Sequence, residues 1–298
     1  MKVLVTGAGG HIGDAAARHL AEAGHEVIAA VRAPNSTLPN TITQLSVDFS
    51  GDFRESLAPA LQGCEAIVHC AADLSDDATS LSPTRVNALA THALLILAEQ
   101  SGVRRFVHLS GFNVLATPLQ LPITEEHPCA PRGIYALSKW YAEGLVREAD
   151  GAGRIEGVIL RVSSPVGPGM RRKRLFSICA DAAASGAPIT LHGEGGRRQD
   201  FVDVRDVASA IALAIEKPVR GVFNIASGKP VSNRELAETC IGALDSSSII
   251  AFSGQPDPDE SLSWDIRIDK ARHELGYAPQ VDLAQSIRDY REWKSDRG

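Results

Sequence analysis

Long apolar runs are missing from this chain. No stretch of its 298 residues reaches the roughly 18 consecutive apolar residues of a membrane-spanning helix, so no membrane partner is expected. The first residues run straight into the strand-like Lys2-Val3-Leu4-Val5-Thr6, without a charged-then-apolar leader. Cysteine is scarce too. Cys64, Cys70, Cys129, Cys179 and Cys240 are scattered, odd in number and never spaced C-x-x-C, so neither a disulfide frame nor a zinc or other metal site is expected. A reducing cytoplasm fits these shortages. An excess of basic charge is also lacking: a net charge of −6 argues against nucleic-acid binding, which needs a positive surface. Internal repeats and low-complexity tracts are absent. What remains is a chain long enough for one α/β domain, or for a nucleotide domain carrying a smaller lobe.

The most informative stretch comes first. Val3, Leu4 and Val5 form the uncharged run expected of a strand buried on both faces of a parallel sheet. Gly7, Gly10 and Gly13 follow at G-x-x-G-x-x-G spacing, and a helical pattern begins at Asp14. The physical reading is a phosphate cradle. Gly7 permits a tight turn, Gly10 removes a side chain that would block a pyrophosphate, Gly13 lets the helix approach the strand, and the amides of His11, Ile12 and Gly13 face the anion. A tight strand-to-helix turn without a ligand is the plainer alternative.

Glu26 to Val31 reads as a second strand, and the residue just past such a strand meets the adenosine ribose of a bound dinucleotide. That residue is Arg32, with no carboxylate until Asp48, which favours NADP over NAD unless Arg32 merely stacks on adenine or faces water. Further strands are expected at Ile42 to Val47, Ala66 to Ala72, Arg105 to Ser110, Gly157 to Val162 and Val222 to Ala226, with a long helix from Pro83 to Glu99. Asp206 is expected to cap a helix over Val207 to Ile215, and Ser232 one over Asn233 to Leu244.

Chemistry is concentrated in Tyr135-Ala136-Leu137-Ser138-Lys139. A spacing of four puts Tyr135 and Lys139 on one face of a helix. A phenol is a poor base at neutral pH, but a neighbouring ammonium and an oxidised nicotinamide ring both favour phenolate. Tyr135 could then take a proton from a substrate hydroxyl while hydride leaves, with Lys139 lowering its pKa and holding the nicotinamide ribose. Ser110, at the carboxyl end of its strand, lies where open parallel sheets place their chemistry.

The Thr6-Gly7-x-x-Gly10-x-x-Gly13 form, together with Tyr135-x-x-x-Lys139, resembles the extended short-chain dehydrogenase/reductases, the NAD-dependent epimerase/dehydratase family. The resemblance covers essentially the whole chain. It implies an α/β fold with a doubly wound parallel sheet of Rossmann type and a smaller C-terminal substrate lobe. Residues 1–165 would form the dinucleotide domain, rejoined by strand 222–226, and 166–298 mainly the substrate lobe. It implies cofactor contacts from Asp48 and Phe49, although Asp48 could equally cap a helix near Asp52. Ala71 and Ala72 would let the backbone approach the cofactor, and Asn87 would tie its helix to the loop beneath the nicotinamide, a plain surface Asn being the alternative. His69 is read as a packing or hydrogen-bonding residue. A homodimer is implied by the helices flanking Asn87 and Tyr135.

The family usually carries a second hydroxyl after the strand-end Ser to hold the substrate oxygen. Here that position is Gly111, so either Ser110 takes over or Asn113 donates the hydrogen bond. Ser164 stands where an Asn often contacts substrate, and Val166 where a Tyr does. Arg171 to Arg174 is either a solvated loop or a site for an anionic substrate group. The usual Arg before Asp200-Phe201 is Gln199, with Arg197 and Arg198 nearby, Arg198 being the candidate. Three activities stay open: net oxidation or reduction of a small polar, possibly anionic or sugar-like substrate; epimerisation or dehydration of a nucleotide sugar; and redox sensing without chemistry.

Overall fold

The computed structural model describes residues 1–35 and 37–296. Seven segments form one all-parallel sheet: β1 (Lys2–Thr6), β2 (Glu26–Val31), β3 (Thr43–Ser46), β4 (Ala66–His69), β5 (Arg105–Gly111), β6 (Glu156–Val162) and β7 (Gly221–Ile225). Their order is β7-β6-β5-β4-β1-β2-β3. Parallel neighbours need crossovers, which run over both faces of the sheet, so alternate residues of β1 bury on opposite sides. Val3 and Val5 join one core cluster and Leu4 the other. The winding direction reverses between β1 and β4. A crevice opens there at the carboxyl ends, where this topology holds its ligands.

Helices α1 (His11–Glu22), α2 (Ala90–Gln100), α3 (Ile134–Gly151), α4 (Leu175–Ser185), α5 (Val204–Glu216), α6 (Asn233–Ala243) and α7 (Leu283–Ser295) complete the frame. Small residues let α1 lie close to the sheet: Ala16, Ala17 and Leu20 are fully buried in the cluster that also holds Ala210, Ile211 and Ala214 of α5. Burial of a residue such as Leu20 contributes about 1.5–3 kcal/mol. The opposite face is covered by α2 and α3 through Leu94, Leu97, Val146 and Ala149. The helix expected from Pro83 is wound in two ways, a wider turn over Thr84–Leu89 and then α2.

The C-terminal lobe has its own core, in which Phe176 and Cys179 of α4, Leu236 and Cys240 of α6, and Ile287 and Tyr290 of α7 pack together. Ser232 caps α6 with a reciprocal bond to Glu235, as its spacing suggests. Asp206 departs from expectation. The helix starts earlier, at Val204, and is capped by Asp203, whose carboxylate accepts from the Arg205 amide. Asp206 sits inside that helix and accepts from the Gln280 and Val281 amides at 2.8 and 3.1 Å, tying the segment before α7 to α5.

Candidate active site

The glycine loop closes directly on the crevice. Gly7 has φ +65°, a conformation that disfavours side chains, and a Cβ there would lie 2.6 Å from the Ala71 amide nitrogen on the loop after β4. A Cβ at Gly13 would lie 2.3 Å from the Gly7 carbonyl, whereas one at Gly10 meets only that carbonyl, at 3.2 Å. Gly7 and Gly13 thus serve close backbone contact, and Gly10 leaves its outward side bare. Gly10 also precedes α1 without any side-chain cap, so the first-turn amides stay available to an anion. These residues fit a dinucleotide pyrophosphate.

The other residues expected at the cofactor divide into two groups. The Ile12 side chain packs against the core, and the His11 ring turns away to hydrogen-bond the Pro168 carbonyl at 3.1 Å, so both offer backbone alone. Burial lowers the His11 pKa. The Phe49 ring is buried against Phe53 and His69, so this residue offers the cofactor its backbone. Asp48 is exposed and accepts from the amide and hydroxyl of Ser50, and the short helix Arg54–Leu57 is not capped by it. Arg32 is exposed at the end of β2, and its charge reaches both Asp48 and Asp73. Ala71 is buried and Ala72 exposed. Asn87 is fully buried. It accepts from the Asp73 amide at 2.7 Å and donates to the Asp73 carbonyl and to Ser138 Oγ, joining the loop after β4 to α3.

Below this loop His69 bridges two hydroxyls. Thr91 Oγ1 donates to the Asn87 carbonyl and so accepts from His69 Nε2. His69 Nδ1 then accepts from Thr6, whose oxygen takes the Ala71 amide. Burial pushes its pKa down to about 3, and it stays neutral.

Tyr135 lies in the first turn of α3, whose amide at that position points to Asp76 Oδ1 at 3.4 Å. Burial pushes the phenol up to about 12, while Arg172 and Arg174 pull it back. Within the basic run 171–174 these two are the cations whose field reaches the phenol; Arg171 is exposed beside them. Lys139 is 3% exposed, and its field acts on His69, Cys70 and His108. Burial pulls its ammonium down to about 8. Since the folded value lies below the ordinary 10.5, the unfolded chain holds this proton more tightly, and the contribution of Lys139 to stability improves as pH rises from about 8 toward 10.5.

Ser110 is placed differently from the expectation of a catalytic hydroxyl. Its Oγ donates to Glu143 Oε1 at 2.6 Å in the interior, where Glu143 also receives Arg161 Nε and Nη2 at 3.1 and 2.9 Å and Arg147 at 2.9 Å. Glu143 is one turn beyond Lys139 on the same helix face. That i, i+4, i+8 series was visible in the sequence and passed over. Ser110→Ala is accordingly expected to cost about 1–2 kcal/mol in urea unfolding while leaving turnover within about threefold of the parent.

In the substrate half, the Ser164 amide bonds the Asp200 carbonyl, and Asp200 itself gathers Ser163, Ser227 and the Gly228 amide. The Arg198 side chain is paired with Glu235 at 3.1 Å and with the Pro230 carbonyl, against α6. Arg197 is paired as well, with Asp259 Oδ2 at 3.0 Å. It lines a cleft of about 290 Å³ with Leu175, Thr190, Leu191, Gln199 and Asn233, and its Nε is buried without a partner among the described residues.

A phosphate cradle at the switch point of a parallel sheet, with a phenol and an ammonium on the helix beside it, defines a nicotinamide-dependent enzyme of carbinol and ketone chemistry. Known proteins agree. The model of the NAD dependent epimerase/dehydratase family matches residues 3–226. The chain is 28% identical to a putative UDP-glucose 4-epimerase of Methanocaldococcus jannaschii, covering 98% of this chain and 97% of that one. It is 28% identical to a dTDP-glucose 4,6-dehydratase of Streptomyces niveus, over 78% of this chain and 71% of that one. Among solved structures it resembles MoeE5 in complex with UDP-glucose and NAD, at 27% identity and a TM-score of 0.86, covering 100% and 99% of the two chains. The chain belongs to the NAD-dependent epimerase/dehydratase family and is an enzyme of the extended short-chain dehydrogenase/reductase type.

Proposed function

We propose that this enzyme acts on a nucleoside-diphosphate sugar, oxidising a ring hydroxyl transiently and returning the hydride within the same turnover, as an epimerase or dehydratase. The observation that supports this reading is that the basic segment whose charge reaches Tyr135 runs directly into a residue of the cleft that Arg197 lines. Tyr135 sits within the field of Arg174. Arg174 is followed directly by Leu175, which lines the cleft holding Arg197. A substrate matching them has a hydroxyl at one end, an anionic centre, and a flat partly apolar group at the other. Relatives named for UDP- and dTDP-glucose chemistry support the same class.

In this mechanism Tyr135 takes the hydroxyl proton as a general base and gives it back as an acid. Arg172 and Arg174 favour its ionised form, and Lys139 follows one turn along the same helix. Asn87 holds the loop at Asp73 against α3, which fixes the phenol relative to the glycine loop. The bound nicotinamide supplies the hydride acceptor.

For the cofactor, Arg32 alone favours NADP, but it lies within the fields of Asp48 and Asp73. A 2′-phosphate would meet two carboxylates there. NAD, present in the MoeE5 complex, is therefore the proposed cofactor, and calorimetric titration showing clearly tighter NADP binding would restore the Arg32 reading. The deciding experiment for function follows nicotinamide absorbance during turnover of UDP- and dTDP-hexoses. Product formed without net cofactor change is expected; one reduced cofactor per product would make the enzyme a dehydrogenase instead.

A homodimer is proposed from a face on α2, the turn before it and α3, where Leu89, Ile96, Leu137, Trp140 and Tyr141 are exposed together. An isologous pair covers such a patch with its own copy. Sedimentation as a monomer at micromolar concentration would end that proposal. A cytoplasmic location rests on the five free cysteines.

A further inference from the structure

Strand β5 reaches the crevice without a free hydroxyl. The Ser110 hydroxyl is engaged with Glu143, and Gly111 has no side chain. A Cβ at Gly111 would come within 3.0 Å of Asn113 Oδ1 and 3.5 Å of the Val162 carbonyl. The Asn113 amide therefore folds back over the bare strand end, into the space that a side chain at 111 would take. Its Nδ2 is buried and meets no acceptor among the described residues. An amide donor held in that state is costly and uncommon in native proteins, and calls for a partner that arrives from outside.

We propose that Asn113 is the hydrogen-bond donor to the substrate oxygen on the carbon that loses hydride, resting on the epimerase/dehydratase reading above. The location agrees with this role, since Asn113 lies in the short turn Phe112–Leu115 directly after β5, at the carboxyl edge of the sheet. An amide has no basic site at neutral pH, so the hydroxyl proton passes to Tyr135 and only the oxygen is held by Asn113. As the C–O bond becomes a carbonyl, the N–H remains its donor, and the amide contributes no titration of its own.

The test compares Asn113→Ala, and Gly111→Ser combined with Asn113→Ala, with the parent enzyme on the hexose nucleotide that it turns over. Gly111 has extended backbone (φ −157°), which any residue adopts, and the double variant removes the Asn113 oxygen that would crowd a new Cβ. Asn113→Ala is expected to lower kcat about 100-fold with KM within about threefold. NAD affinity should hold, and the melting temperature should stay or rise, because an unpaired buried donor has been removed. The double variant should recover about tenfold of the loss by presenting a hydroxyl from position 111. Parent-like kcat in Asn113→Ala overturns the proposal, as does a loss that tracks a lowered melting temperature and is not recovered in the double variant. If the parent enzyme turns over no nucleotide sugar, the functional reading itself falls, and the Asn113 role with it.

Discussion

Tyr135→Phe is expected to lower turnover of a nucleotide sugar by about 10²–10⁴-fold while leaving dinucleotide affinity within about twofold. Phenylalanine keeps the ring in the first turn of α3 and removes only the oxygen that exchanges a proton. The pH dependence has a definite sign. Burial holds the phenol up at about 12, so the free site is protonated at neutral pH, and the oxidation step needs the ionised form. Its rate should therefore climb as pH rises. Rapid-mixing measurement of nicotinamide reduction across neutral to alkaline pH checks this. A Phe variant within about tenfold of the parent, with the same pH profile, would remove Tyr135 from the chemistry.

The second large effect concerns stability. Glu143→Ala is expected to lower the unfolding free energy by about 3–5 kcal/mol, since it leaves the buried Arg161 without its carboxylate and with only the Glu125 carbonyl and Cys129 Sγ to bond. Arg161 and Glu143 are 4% and 0% exposed in their side chains and 2.9 Å apart, and Ser110 loses its acceptor in the same change. Burial alone would raise the Glu143 pKa, but the bonds and charge of Arg161, with Ser110 and Arg147, bring it below its ordinary value of 4.5. A carboxylate with a depressed folded pKa contributes stability above that ordinary value and loses it as pH falls through the folded one. Urea unfolding at neutral and acid pH measures both, and a second change, Arg161→Leu, should restore part of the loss by removing the stranded charge. Additive losses in the two variants would show that the pair is not coupled.

How much of this was readable beforehand follows the range of the interaction involved. The glycine turn is a local device, set by spacing and backbone sterics over seven residues, and it stands where its pattern puts it. Seven strands were equally legible as short runs bounded by turn residues, although the edge strand β3 came out shorter than its pattern. The helix that carries Tyr135 and Lys139 was legible through a spacing of four. Ser110 was not, because a hydroxyl at a strand end looks the same whether it faces substrate or a carboxylate 33 residues later. Arg197 and Arg198 show the same limit: only the fold tells that one pairs with Asp259 and lines the cleft while the other bonds Pro230 and Glu235.

Asp206 marks the same boundary. Its position near the start of an apolar helical pattern made it a reasonable cap, but its partners are amides 74 and 75 residues away. Sequence alone therefore determined the chain's periodicities, its phosphate turn and the placing of Tyr135 and Lys139 one turn apart on a single helix, all set by neighbours within a few residues. The tertiary structure alone decided where each polar group finds its partner: Ser110 on Glu143, Asp206 on the segment before α7, the Asn113 amide nitrogen on none among the described residues. A buried polar atom must bond to whatever the fold brings beside it, and that neighbour is chosen by the packing of sheet and helices.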